Sequence, residues 1–63
     1  MMVLFTTKRG MVGINSDKVL FVGENNKGTR IELEDGTPID VLEQINEVVS
    51  LLNPIITNFN TKN

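Results

Sequence analysis

The stretch between residues 31 and 41 constrains the fold more than any other part of this chain. It places an EDG turn signal, at 34–36, between two apolar, β-branched segments, a pattern typical of a β-hairpin. A two-residue turn would put Ile31 opposite Asp40, whereas a three-residue loop with a left-handed glycine puts Ile31 opposite Ile39. Because alternate residues must keep one apolar face, the pattern predicts the three-residue loop.

The preceding turn signal, NKG at 26–28, is interpreted in the same way. A three-residue loop there pairs Phe21 with Leu33 and Gly23 with Ile31, and it places Phe21 and Leu33 on the core face of the sheet. The predicted core face consists of Val19, Phe21, Ile31, Leu33, Ile39 and Val41. On the opposite face Leu20 and Val22 precede polar residues, so these two side chains need another cover.

Two further turn signals, KRG at 8–10 and NSDK at 15–18, divide the N-terminal third of the chain. With the two later turns they separate short apolar segments rich in β-branched residues, each typical of a strand. The predicted strands lie at 2–6, 11–14, 19–24, 29–33 and 37–41. We therefore expect an antiparallel meander of four or five strands.

The apolar period changes after the last predicted strand. Ile45, Val48, Val49 and Leu52 follow one another at the spacing of a single stripe on an amphipathic helix. The sequence thus predicts a small α+β domain over residues 1–53, in which one C-terminal helix covers the core face of the sheet. Residues 54–63 form an Asn-rich C-terminal tail.

Two residue types that often carry chemistry, Cys and His, are absent from the 63 residues. Disulfides and zinc–thiolate sites are therefore excluded, and the usual general base near neutral pH is absent. The carboxylates lack the spacing of a calcium loop, and the glycines lack that of a phosphate loop. We expect a protein that is not an enzyme and that has no cofactor and no metal site.

The apolar segments are short. None approaches the roughly 20 residues of a membrane span, and residues 1–14 lack the pattern of a secretion signal. We therefore expect no membrane span and a cytoplasmic location.

A domain of this size has a narrow stability margin, and association with another chain is the stabiliser that remains. A contiguous exposed apolar patch usually marks an interface, and two-fold homodimers are the commonest closed assembly. We therefore expect a homo-oligomer, or a complex with a protein partner, built through Leu20 and Val22. Leu42, Leu51 and Phe59 are expected either to extend this predicted interface or to anchor a different partner.

An alternative function follows from the basic residues. In a meander the turns at 8–10 and 26–28 lie at the same end, so Lys8, Arg9 and Lys27 gather on one rim near Arg30. Such a rim fits a small nucleic-acid-binding or phage-type regulatory protein. The net charge of −2 argues against broad phosphate-backbone binding, and the chain has no Trp or Tyr for stacking on bases.

Residues 14–52 resemble the FlbD/SwrD family of small bacterial flagellar-associated proteins. The resemblance rests on Ile14-Asn15 before a strand, on the stretch VLFVGENNKGTRIELEDGTPIDV, and on a helix start containing Glu43 and Glu47. Gln44 stands where that family tends to have Ser. The resemblance implies a non-enzymatic, oligomeric accessory protein, and it carries over no binding residues.

Overall fold

A computed structural model describes residues 1–52 and confirms the α+β class. Five antiparallel strands form a two-stranded and a three-stranded sheet, and one helix follows them. The strands are β1 (Met2–Thr7), β2 (Gly10–Asn15), β3 (Val19–Glu24), β4 (Thr29–Leu33) and β5 (Pro38–Val41). A 3-10 helix (Ser16–Lys18) links the sheets, and α1 spans Ile45–Leu52. The strands therefore form two sheets rather than one continuous meander.

The predicted register of the last hairpin is confirmed. Ile31 pairs with Ile39 across β4 and β5. The Leu33 N–H donates to the Thr37 carbonyl at 3.0 Å, and the loop between them contains Gly36 with a φ of +91°. A three-residue loop needs this left-handed residue, which glycine adopts without steric cost.

The predicted register of β3 on β4 is wrong by one residue. Val22, rather than Gly23, pairs with Ile31, and Phe21 lies opposite Glu32. The connection is shorter than predicted because the Asn25 N–H donates to the Gly28 carbonyl at 3.1 Å, which leaves a two-residue loop.

A β-bulge between Val19 and Phe21 then shifts the register by one more residue, so that Val19 pairs with Leu33. As a result Phe21 is exposed, whereas Val22 is half-buried and packs against the core. Phe21 is therefore not a residue of the core face, and Val22 does not lie on a separate outer face with Leu20.

The core lies between the two sheets and α1. Val48 of the helix is fully buried, Leu52 packs against the same cluster, and Val49 lies at its exposed margin. The buried apolar residues are Val3, Phe5, Ile14, Ile31, Val41 and Val48. Both sheets thus contribute to one core, which the helix covers as predicted.

Candidate functional site

Two tight turns carry the cationic side chains that the sequence places on one rim. In the first turn Lys8 and Arg9 connect β1 to β2, and Thr7 pairs with Gly10. The Thr7 hydroxyl donates to the Gly10 carbonyl at 2.8 Å and accepts from the Arg9 N–H at 3.1 Å. These bonds hold the backbone of the turn in one conformation.

The second turn carries Lys27 and is organised by Asn25. The Asn25 Oδ1 accepts from the N–H groups of Lys27 (2.9 Å) and Gly28 (2.8 Å), as an Asn side chain does when it replaces a backbone turn. The Asn25 Nδ2 also donates to Asp40 Oδ1 at 3.2 Å. The side chain therefore ties the turn to β5.

The two turns, together with β4 and β5, border an open groove of about 770 Å³. We call it the cationic groove, because its lining includes Lys8, Arg9, Lys27 and Arg30. The structure thus brings together all four residues that were predicted to form a basic rim.

Charge is distributed unevenly along this chain. Among residues 1–52, four of the five lysine and arginine side chains line the cationic groove, and Asp40 is the one carboxylate in that lining. The whole chain has a net charge of −2. A locally positive cleft on an acidic protein raises the concentration of anions at that surface.

Arg30 is already paired within the groove. Its Nε donates to Asp40 Oδ1 at 2.8 Å, and its Nη2 donates to Asp40 Oδ2 at 3.2 Å. This hydrogen bonding raises the pKa of Arg30 and lowers the pKa of Asp40. An exposed pair of this kind contributes little stability, but its two-point geometry orients the guanidinium group.

The other three cations of the groove form no ion pair with any residue in the described part of the chain. Lys8 and Lys27 are neighbours, although they belong to different turns. Lys27 lowers the pKa of Lys8, because a neutral Lys8 amine can accept a hydrogen bond from Lys27 and because the two ammonium charges repel. An anion placed between the two side chains would relieve that repulsion.

A second candidate surface lies on the hairpin formed by β1 and β2. The side chains that alternate with buried Phe5 point outward, and Met2, Leu4 and Met11 are 65%, 61% and 63% exposed. A Cβ atom built on Gly13 would lie 3.2 Å from the Met2 side chain, so Met2 lies across this glycine. We call the surface of Met2, Leu4, Met11 and Gly13 the ribbon face.

The ribbon face has no charged residue. In the register of β1 and β2, its remaining positions are Thr6, opposite Met11, and Asn15, opposite Met2. A strand pair with apolar side chains on both faces is typical of sheets that are covered on both sides. Within residues 1–52 the inner face is covered by the core, and the ribbon face is open to solvent.

A third apolar surface joins β3 to the helix. Leu20 and Phe21 are 63% and 52% exposed, and they line a shallow cleft of about 210 Å³ with Val22, Val49 and Leu52. We call this the β3–helix surface. It contains the two residues, Leu20 and Val22, on which the interface prediction was centred.

The remaining residues of the predicted interface are dispersed. Leu42 is exposed in the cationic groove, Leu51 is exposed on the helix, and Phe59 lies outside the described residues. Met2 and Met11 were missed as surface residues, although the unbroken apolar runs MMVLF and GMVGI carried the signal. Such runs, unlike alternating ones, indicate strands that are apolar on both faces.

Comparison with protein-family models, with curated proteins and with solved structures gives no match. Over residues 1–52 no helix combines the length and the apolarity needed to cross a membrane.

The carboxylates of the described residues do not form a shared site. No group of three or more acidic side chains there could hold a metal ion. Asp40 binds Arg30, and Asp35 Oδ1 accepts from the Thr37 N–H at 3.0 Å, which lowers the pKa of Asp35. Each of these two acids thus has a local structural role.

Glu43 joins the two sheets near the start of the helix. Both of its carboxylate oxygens accept from the Thr6 N–H at 3.0 Å, and the Leu42 N–H donates to the Thr6 carbonyl at 2.8 Å. The buried Thr29 hydroxyl donates to the Glu43 carbonyl at 2.8 Å. Partial burial opposes ionisation of Glu43, but the hydrogen bonds from N–H groups outweigh it and lower its pKa.

We expect Glu43→Gln to lower the free energy of unfolding at neutral pH by about 1 kcal/mol, since a neutral acceptor replaces a charged one. A lowered pKa in the folded state means that the carboxylate stabilises the protein above its unfolded pKa of roughly 4.3. That contribution is lost as the pH falls through the folded value. Thermal melts across this acidic range should therefore show a smaller acid-induced loss in Glu43→Gln than in the parent.

The exposed Glu24 provides a control. Glu24→Gln should leave the acid-induced loss of stability close to that of the parent. Equal losses in the parent and in Glu43→Gln would contradict the role of the Glu43 carboxylate.

Proposed function

We propose that this protein is a non-enzymatic interaction module that acts in the cytoplasm and associates with a second copy of itself through the ribbon face. The observation that carries the proposal is the exposure of Met2, Leu4 and Met11 on a hairpin whose opposite face is buried. Exposed apolar side chains that form one patch are typical of an interaction surface. The resemblance of residues 14–52 to the FlbD/SwrD proteins also favours an accessory role.

A second copy fits this face for an electrostatic reason. Near a two-fold axis each residue meets its own counterpart, so a charged residue there would meet a like charge. The ribbon face has no charged residue, although eight acidic and six basic side chains occur in the chain. The long flexible side chains of Met2 and Met11 can adapt to an identical opposing surface.

The test is the mass of the protein in solution, measured by light scattering at several concentrations. We expect the parent to form a dimer and Leu4→Lys to form a folded monomer, because two lysines near the axis would repel and lose hydration. Leu4 is 61% exposed, so this substitution leaves the core intact. Circular dichroism should therefore match that of the parent.

Phe21→Lys is the matched control. Phe21 is 52% exposed on β3, and the change in charge and hydrophobicity is similar, but the residue lies on the β3–helix surface. The ribbon-face proposal requires Phe21→Lys to keep the parent mass. Dissociation by Phe21→Lys, with Leu4→Lys still dimeric, would instead assign the interface to the β3–helix surface. Val22, which lines the same surface, cannot serve as the control position, since it packs against the core and a lysine there would disturb the fold.

A further inference from the structure

The geometry points to a second binding site: we propose that the cationic groove binds the phosphate groups of a nucleotide or of a single nucleic-acid strand. This site is separate from the ribbon face, and the proposal does not depend on self-association. The chemistry shared by the two ligands is a phosphate next to a base and a sugar.

The first argument is the separation of charge within an acidic protein. Lys8, Arg9 and Lys27 line one groove and have no ion pair in the part of the chain that the structure describes. Of the five lysine and arginine side chains in residues 1–52, four line this one cleft, together with a single carboxylate. The arrangement costs electrostatic repulsion, which an anionic ligand would remove.

The second argument is the order of the backbone that presents these charges. The Thr7 hydroxyl closes the turn of Lys8 and Arg9, and Asn25 Oδ1 closes the turn of Lys27. A site whose backbone is already ordered loses less entropy when a ligand binds. The cations of two separate turns thus line one groove on backbone that hydrogen bonds hold in place.

The third argument concerns the kind of anion. Lys8 and Lys27 line the same groove from different turns, so a single group that offers several acceptor oxygens can accept from both. Arg30 lines the same groove, and its guanidinium is held in place by Asp40 while N–H donors beyond those two bonds remain. A tetrahedral phosphate suits such donors arriving from several directions better than a planar carboxylate does.

The fourth argument is the apolar part of the lining. Exposed Leu42 and Pro38 border the groove beside the cations. They offer a surface for a sugar or a base, but the lining has no aromatic side chain on which bases could stack. Binding should therefore be insensitive to sequence and dominated by phosphate contacts.

The probes are adenosine triphosphate and a fluorescein-labelled oligothymidylate of about 12 nucleotides. Three phosphate contacts to a single strand predict a slope of about −2 for log K against log salt concentration. Lys27→Glu should weaken binding on the order of tenfold and reduce the magnitude of that slope by about 0.7, the share of one phosphate contact on a single strand. Fluorescence anisotropy over a salt series measures both quantities for the oligonucleotide, and calorimetry measures binding of the triphosphate.

Lys18→Glu is the matched control. It changes the net charge of the chain by the same amount, but Lys18 lies on the 3-10 helix and not in the groove. We expect Lys18→Glu to bind like the parent. Equal weakening by Lys18→Glu and Lys27→Glu would show attraction by overall charge and would overturn the site.

Further comparisons distinguish the sources of phosphate and test its specificity. Binding of the triphosphate as tightly as the oligonucleotide supports a nucleotide site, whereas binding of the oligonucleotide alone supports a strand site. Polyglutamate that binds as tightly as both probes, or no binding of either probe at low salt, would overturn the proposal. The Leu4→Lys monomer should bind as the parent does, which separates failure of this site from failure of the ribbon-face proposal.

Discussion

Replacing Ile31 by Ala should lower the free energy of unfolding by about 2–5 kcal/mol. Ile31 is fully buried in the middle strand of its sheet, between Val22 on β3 and Ile39 on β5. It belongs to the same buried cluster as Val48 of the helix. Removing three carbon atoms there leaves a cavity. The neighbouring strands and the helix are fixed by their own contacts and cannot move in to fill it.

This loss is large for a chain of 63 residues, whose whole stability is expected to be roughly 3–9 kcal/mol. The melting temperature should fall by about 4–8 °C for each kcal/mol. Melts should be compared at one protein concentration, since association raises apparent stability. Ile31→Val, which removes one methyl group, should cost only about 0.5–1.5 kcal/mol. Equal melting temperatures for the Ala and Val variants would show that Ile31 is not the centre of the core.

The hairpin from residue 31 to residue 41 could be predicted because two independent signals agree there. The turn signal limits the loop to two or three residues. Only the three-residue loop keeps the alternating apolar residues on one face of the sheet. The structure has that register, with Ile31 opposite Ile39. The same register places Arg30 opposite Asp40. The ion pair between Arg30 and Asp40 could therefore have been predicted from this register, although the predicted basic rim includes Arg30 together with the unpaired cations.

The register of β3 could not be predicted in the same way. Its four consecutive apolar residues, Val19 to Val22, do not alternate, so either register buries apolar side chains. Asn25 determines which register forms. Its N–H donates to the Gly28 carbonyl, and its Oδ1 accepts from the N–H groups of Lys27 and Gly28. A bulge between Val19 and Phe21 then shifts the pairing again. Both effects depend on local geometry that a hydrophobic pattern does not encode.

The two candidate sites also differ in how far the sequence predicts them. The gathering of Lys8, Arg9 and Lys27 follows from turn positions in an antiparallel arrangement, and these positions were predictable. The outward direction of the Leu4 side chain was not predictable, because either face of the apolar strand β1 could pack against the core. The direction of β1 depends on contacts distant in sequence, such as the bond from the Leu42 N–H to the Thr6 carbonyl.

Gly28→Ala should destabilise the fold by about 3 kcal/mol, at the upper end of the range for overpacking. A Cβ atom at this position would lie 2.4 Å from the carbonyl oxygen of Val41 and 2.9 Å from the carbonyl carbon and oxygen of Leu42. These contacts are with backbone, so no side-chain rotation can relieve them. The beginning of β4 would have to separate from the end of β5, where Thr29 pairs with Val41.

The damage should extend to both sheets, because the displaced segment also holds the junction between them. The Leu42 N–H donates to Thr6 of β1, and the Thr29 hydroxyl donates to the carbonyl of Glu43. Gly23→Ala is the control: a Cβ atom at Gly23 has no atom within 4 Å, and the residue has no positive φ. It should be neutral or stabilise by about 0.4–1 kcal/mol, since Ala restricts the unfolded chain. Equal melting temperatures for Gly28→Ala and Gly23→Ala would contradict the close approach of β4 to the end of β5. A lower melting temperature for Gly28→Ala, with an unchanged or higher one for Gly23→Ala, would support it.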